Sequence, residues 1–470
     1  MKKNKVQDKM FLELKDKAIF KKTQQYSLDY LDNVLDRNVY PTKEAIANLS
    51  VFDENLPNST TEGEKVIDLL HKFGSPATVT TLGGRYFGFV CGSALPVALA
   101  AKHLGTYWDQ CPTMNVLSPI AGKLESVVEK WMVELFNLPK NTSAGFVSGT
   151  TTANLCALAA ARYRILKRQN WDINIKGLHS APRIRIITGQ AHSSVLKAIQ
   201  LLGFGQENIE WIDVDNQGRV IPESIPELDE NSILILQAGN VNSGSFDSFE
   251  SICAKAQKAD SWVHIDGAFG LWAGASKELN HLTKGIEKAD SWAVDGHKTL
   301  NTPYDCGIVL CKDNEAMTSA LHTSGSYIAK SSDRDGMYYT PEMSRRARIV
   351  ELWATMKFLG KEGIDEMVLT MHERAKQFAN EISNLKGFHV DNDIVFNQVI
   401  VRCNDDVTTQ NVLKNVQELR ECWLGGSVWL GKKVIRVSIC SWSTTKKDIT
   451  RSIKSFETAL EMEKTTANKV

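Results

Sequence analysis

The stretch Ser291-Trp-Ala-Val-Asp-Gly-His-Lys298-Thr decides how this chain is read. Ser291–Asp295 is apolar and strand-like, and the lysine arrives just past its end, where side chains enter a crevice rather than a core. A second run, Trp262-Val-His-Ile-Asp266-Gly-Ala268, has the same form and ends on a carboxylate. Upstream, Phe146-Val-Ser-Gly149-Thr150-Thr151-Thr152-Ala153 joins a strand to a helix through small residues, whose backbone N–H groups and hydroxyls suit a phosphate dianion. Gly189-Gln-Ala-His192-Ser-Ser-Val follows another strand-like run, Arg183–Thr188, and offers an imidazole that can stack on a flat heteroaromatic ring.

Each residue alone has a plain reading. Most lysines are solvated, and an Asp closing a strand usually turns the chain or caps a helix. His192 can equally cap the helix it precedes. The four strand ends together supply what pyridoxal phosphate needs. Lys298 forms an imine with the aldehyde, and Asp266 keeps the pyridine nitrogen protonated, so that the ring accepts an electron pair. His192 covers one ring face and Ala268 the other. Gly149, Thr150, Thr151 and His297 form the phosphate set, with His297 alternatively standing behind it. Asn242, in Gly239-Asn-Val-Asn-Ser-Gly-Ser, is a candidate for the ring hydroxyl or the phosphate, or a turn residue.

The bulk numbers exclude other classes. With 470 residues, 43% of them hydrophobic, the chain buries a substantial core. Its 55 basic and 55 acidic residues balance, so it has no electrostatic footprint for nucleic acid or an anionic membrane. Nine cysteines lie scattered without a C-x-x-C, as reduced thiols do, and do not suggest a metal site. With no apolar leader and no apolar run of about 18 residues, the chain is expected to be soluble and cytoplasmic, acting on a small molecule.

Residues 1–80 carry helical periodicity and read as an amphipathic arm, which either wraps a partner subunit or packs on its own. Residues 81–345 alternate short β-rich runs with helical stretches, the pattern of a mostly parallel seven-stranded sheet with crossover helices. The runs are Ala144–Ser148, Ile184–Thr188, Ile209–Val214, Ile233–Ala238, Trp262–Asp266, Trp292–Asp295 and Ile308–Cys311. Residues 346–470 begin with a long helix and read as a smaller α/β domain. Ligands of such sheets bind outside the strand ends, which is where the candidate residues fall.

From about Leu82 to Trp442 the chain resembles the group II pyridoxal-phosphate-dependent amino-acid decarboxylases, which include aromatic-amino-acid, glutamate and histidine decarboxylases. The resemblance is carried by Arg85-Tyr-Phe-Gly-Phe, Ser118-Pro-Ile-Ala-Gly-Lys-Leu-Glu125, the Ser148-Gly-Thr-Thr turn, Gln190-Ala-His-Ser-Ser-Val195, His264-Ile-Asp-Gly-Ala268, Gly296-His-Lys298 and Ser344-Arg-Arg-Ala-Arg348. It implies a fold type I enzyme, a homodimer, that removes the α-carboxylate of an L-amino acid as carbon dioxide and yields the amine. Other pyridoxal-phosphate outcomes on this fold are the alternative: aldehyde synthase, transaminase or carbon–carbon lyase.

Two departures stand out. Asp295 replaces an amide found in many relatives, so it is left out of the phosphate set. The loop before Ser344 is short, Lys330-Ser-Ser-Asp-Arg-Asp-Gly-Met-Tyr-Tyr339, and Gly336 falls where relatives carry a catalytic tyrosine. Tyr338 or Tyr339 is then the candidate proton donor, with an ordinary loop role as the alternative. Arg436 lies where related aminotransferases hold the substrate carboxylate, or is a structural strand residue.

Overall fold

Seven short runs rich in β-branched and aromatic residues pair into one sheet: β1 (Ser143–Val147), β2 (Arg185–Thr188), β3 (Ile209–Trp211), β4 (Ser232–Gln237), β5 (Trp262–Asp266), β6 (Ser291–Asp295) and β7 (Gly307–Cys311). The computed structural model that shows this describes residues 5–322 and 333–467. The strand order is β1-β7-β6-β5-β4-β2-β3. Neighbours from β6 to β3 run parallel, while β7 is antiparallel to both β6 and β1. β1 and β6 therefore point the same way. The C-terminal ends of β1, β2, β4, β5 and β6 all open on one edge of the sheet.

Helices cover both faces, so the central strands are apolar throughout rather than alternating. β5, β6 and β7 are buried at every position. One face packs on the alanine-rich helix Thr150–Arg168, whose terminal Lys167 and Arg168 sit favourably at the negative end of its dipole. The other face carries the larger core, reached by the helix Ile349–Ser383, which bends where Gly360 takes the left-handed φ of 59°.

A second sheet, in order β10-β11-β9-β8, follows that helix: β8 (His389–Val390), β9 (Gln398–Arg402), β10 (Gly425–Trp429) and β11 (Lys432–Ser438). β10 was not expected, because Gly425-Gly-Ser-Val-Trp has little β propensity of its own; it forms as the partner of β11 across a turn whose Gly431 takes a φ of 80°. Arg85 ties the N-terminal segment around Leu35–Arg37 to the loop before β10 and to the C-terminal helix Lys446–Ala467. This buried side chain donates to the carbonyls of Leu35, Arg37 and Glu421 and pairs with Asp448 at 3.1 Å.

The N-terminal helices Lys5–Asp16 and Ala18–Asp32 bury none of their residues on this chain. Phe11, Leu12 and Leu14 are exposed. All nine cysteines are free, and among the described residues no helix is long and apolar enough to cross a membrane.

Candidate active site

The open edge of the sheet gathers the predicted residues into one cleft. Pairing of β4 with β5 sets Gln237 opposite Asp266, and pairing of β5 with β6 sets Asp266 opposite Ala293. A cleft at this point is lined by His192, Gln237, Gly239, Val241, Asp266, Ala268, Phe269 and Lys298. A larger apolar cleft lies by Trp131 and Ile364, but it holds only Glu134, Lys357 and Lys361 as charged groups and no comparable constellation. Chemistry, not size, assigns the site.

Lys298 reaches Asp295 Oδ2 at 3.1 Å, and Asp295 is only 2% exposed. The acid that breaks the phosphate pattern is thus the counter-ion of the lysine. Its other oxygen, Oδ1, is buried with no hydrogen-bond partner. His297 accepts from the Cys306 N–H through Nδ1 at 3.1 Å, so its proton lies on Nε2, 3.6 Å from Asp295 Oδ2. Tyr304 packs on the His297 ring, with centroids 4.4 Å apart. A Cβ on Gly92 would collide with the carbonyl of Lys298, so only glycine lets segment 88–92 lie against the lysine.

Asp266 is 5% exposed and accepts from the Ala268 N–H at 3.2 Å. Burial pushes its carboxyl up, against the pull of His192 and Lys298. A cation at the mouth of the cleft would relieve that cost. His192 does both of the things weighed for it. Its Nδ1 caps the helix Ser193–Leu201 by accepting from the Ser194 N–H at 3.2 Å, while its ring lines the cleft. Burial is the main cause that holds its pKa below the ordinary histidine value.

At the β1 end, Thr150 Oγ1 is buried and unpartnered. It starts the helix whose N-terminal amides face the same space, and Thr151 is exposed beside it. A Cβ on Gly149 would sit 3.4 Å from His297 Cε1 and 3.7 Å from Asp295 Oδ1. An orphaned buried hydroxyl on Thr150 beside a bare glycine, backed by the N–H of a histidine and a helix N-terminus, fits a phosphate group.

The family comparison agrees with that constellation. The pyridoxal-dependent decarboxylase conserved domain matches residues 51–404. The chain belongs to the pyridoxal-dependent decarboxylases. This decarboxylase is 26% identical over 378 residues to the acidic amino acid decarboxylase of Xenopus tropicalis, covering 77% of this chain and 73% of that one. It is 25% identical to the phenylacetaldehyde synthase of Arabidopsis thaliana, covering 72% and 74% of the two chains. Its fold matches the Oryza sativa TDC solved with PLP and tryptamine at a TM-score of 0.87 and 20% identity, over 95% of this chain and 98% of the other. The decarboxylase uses pyridoxal phosphate and is a carboxy-lyase acting on an L-amino acid.

Other expected residues lie elsewhere. Asn242 accepts from the Ser427 hydroxyl at 2.8 Å, and its N–H donates to Asn240 Oδ1; it closes a turn against β10 instead of facing the cleft. Tyr338 packs on His322, and Tyr339 lies under the Arg334 guanidinium, 4.0 Å from centroid to Cζ. Arg334 is itself held by Glu125 and Glu129, so in this chain neither tyrosine is brought to Lys298. Gly336 is buried, and a Cβ there would strike the Pro112 carbonyl and Arg345, so the position is a packed turn with no room for a phenol. Lys330–Ser332 of that loop lie outside the described residues.

Sequence reasoning missed His264, which stands two residues before Asp266 on the same face of β5 and lies deeper than the cleft, behind Asn154. It is fully buried, and burial drives its pKa from 6.5 down to about 3. In that window the unfolded chain binds a proton that the folded chain refuses, so this histidine's contribution is complete above about pH 6.5 and is lost as pH falls toward 3, at ~1.4 kcal/mol per pH unit. Urea unfolding of His264→Gln at pH 5, 6 and 7 is expected to show a shallower loss on acidification than wild type, by about one proton's slope. Parallel curves would show that His264 titrates alike in both states.

Proposed function

We propose that this decarboxylase removes the α-carboxylate of its amino acid with Lys298 as the covalent attachment point of the cofactor, Asp266 as partner of the ring nitrogen, His192 and Ala268 against the ring, and Gly149, Thr150, Thr151 and His297 at the phosphate. The observation that carries this reading is the meeting of Lys298, Asp266, His192 and Ala268 in one cleft, beside the orphaned buried hydroxyl of Thr150 at its phosphate end. When bound, pyridoxal phosphate supplies an electron sink for the bond broken at the substrate α-carbon. The chain supplies orientation and charge. Asp266 holds negative charge in a dry site, and His192 walls off one side. The Arg436 side chain on β11 makes no hydrogen bond or ion pair among the described residues, and burial is the first cause lowering its pKa. As a half-buried cation close enough to depress the pKa of His192, it is suited to a substrate carboxylate.

The proton returned to the α-carbon has to come from a group that reaches the cleft. Within this chain His192 and Lys298 meet that condition, and Tyr338 and Tyr339 do not. This favours one second reading: with no phenol at Gly336, part of the flux ends in an aldehyde in place of the amine, with dioxygen taking up the two electrons as hydrogen peroxide and the nitrogen leaving as ammonia. Incubating the holoenzyme with a panel of L-amino acids and measuring carbon dioxide, amine and aldehyde tests both. Amine with stoichiometric carbon dioxide supports the first reading, aldehyde the second, and a keto acid without carbon dioxide contradicts both.

The protein also reads as a cytoplasmic homodimer. Its N-terminal helices contain no fully buried residue, and Phe89, 63% exposed with a φ of 54°, projects from the segment that packs on Lys298. Both features fit a partner that covers the arm and closes the cleft. Sedimentation at micromolar concentration is expected to give twice the 52.3 kDa chain mass, and deletion of residues 1–32 is expected to give monomers with at least tenfold weaker activity. A fully active monomer would rule the dimer out.

A further inference from the structure

One buried amide ties the two ring-contacting groups together. Asn154 lies in the first turns of the helix Thr150–Arg168, is fully buried, and is bonded at both ends of its side chain. Donor logic fixes how it points. The Trp262 indole N–H can only donate, and it does so to Ser291 Oγ at 3.0 Å. Ser291 Oγ also lies 3.0 Å from His264 Nδ1. At the other end the Asp266 carboxylate only accepts, so Asn154 turns its NH₂ toward it and its Oδ1 toward His264, whose ring proton then lies on Nε2, 2.9 Å away, leaving Nδ1 to accept from Ser291. With its oxygen committed to the histidine, the amide must present its NH₂ to the cleft side. There it stands 3.4 Å from Asp266 Oδ2 and 3.2 Å from Ser194 Oγ.

The second branch continues the same way. Ser194 Oγ, accepting from Asn154, gives its proton to His192 Nδ1 at 2.8 Å. That nitrogen also accepts the Ser194 N–H, so the ring proton of His192 belongs on Nε2. All the donors run one way, from an indole deep in the sheet to the carboxylate and the imidazole of the cleft. Such a chain polarises each successive member.

We propose that Asn154 is the positioning residue of this site, holding Asp266 as a pure acceptor and committing His192 to the tautomer with its proton on Nε2. It acts through these two groups and does not itself line the cleft. The proposal rests on Asp266 pairing with the ring nitrogen of the cofactor, and the test separates the two ideas.

Cofactor-free protein is titrated with pyridoxal phosphate and with its 1-deaza analogue, in which a C–H replaces the ring nitrogen. Wild type is expected to prefer the natural cofactor. Asn154→Leu, close in volume, and Asn154→Asp, which sets a second carboxylate against Asp266, are each expected to lose at least tenfold in affinity for pyridoxal phosphate and less than twofold for the deaza analogue. His264→Phe leaves Asn154 in place but frees its amide to turn over, and is expected to show the same selectivity in weaker form. Equal loss for both ligands would reduce Asn154 to a packing residue, and no loss for either would remove it from the site. If wild type binds the two ligands alike, the Asp266 pairing itself falls and takes the proposal with it.

Discussion

Lys298→Ala is expected to lower amino-acid turnover by at least about 10⁴-fold, equivalent to ~5.5 kcal/mol of barrier, and to remove the covalent bond between protein and cofactor. The lysine is the amine of the cleft: its Nζ is 3.1 Å from Asp295, and its backbone is pinned by the close approach of Gly92. Among the described residues no other lysine lines the cleft. Borohydride reduction of the wild-type holoenzyme followed by peptide mass analysis should find the reduced cofactor on Lys298, and the variant should carry none. A label on another lysine, or turnover within tenfold of wild type, would contradict the assignment. Asp295→Asn separates the counter-ion from the nucleophile. It restores the amide common in relatives, so the covalent bond is expected to persist.

What could be read without coordinates was whatever chemistry sits at a strand end. Lys298, Asp266, His192 and Thr150 each follow an apolar run that flips to helical spacing, and such junctions in a parallel sheet share one edge whatever the strand order. The relay behind them has no such signature. Asn154 looks like any polar residue in an alanine-rich helix, and His264 like part of a strand; only the registry of β5 with β6, and the helix lying across both, makes them neighbours of each other and of Ser291. Asp295 was set aside for lacking a donor, which is sound for a phosphate ligand but silent on its pairing with Lys298, a contact that depends on the turn after β6. The two tyrosines lie away from the cleft in this chain. Loop residues chosen by proximity in sequence carry no information on direction, and Arg334, clamped by Glu125 and Glu129, draws Tyr339 away from the cleft.

Asp266→Ala is expected to cost about 10³-fold or more in turnover while leaving Lys298 able to hold the cofactor, because the carboxylate acts on charge that develops during reaction and not on the aldehyde. Removing it leaves the ring nitrogen with no acid partner in a site where burial already disfavours isolated charge. Asp266→Asn is the sharper variant. It keeps the size and an acceptor for the Ala268 N–H, and it loses the negative charge together with the oxygen that accepts from Asn154, so the drop for Asn should come within tenfold of that for Ala. Borohydride should still label Lys298 in both variants. If Asp266→Asn retains wild-type turnover, shape and not charge is what β5 contributes at this position, and the electron sink would have to be sustained by other groups in the cleft.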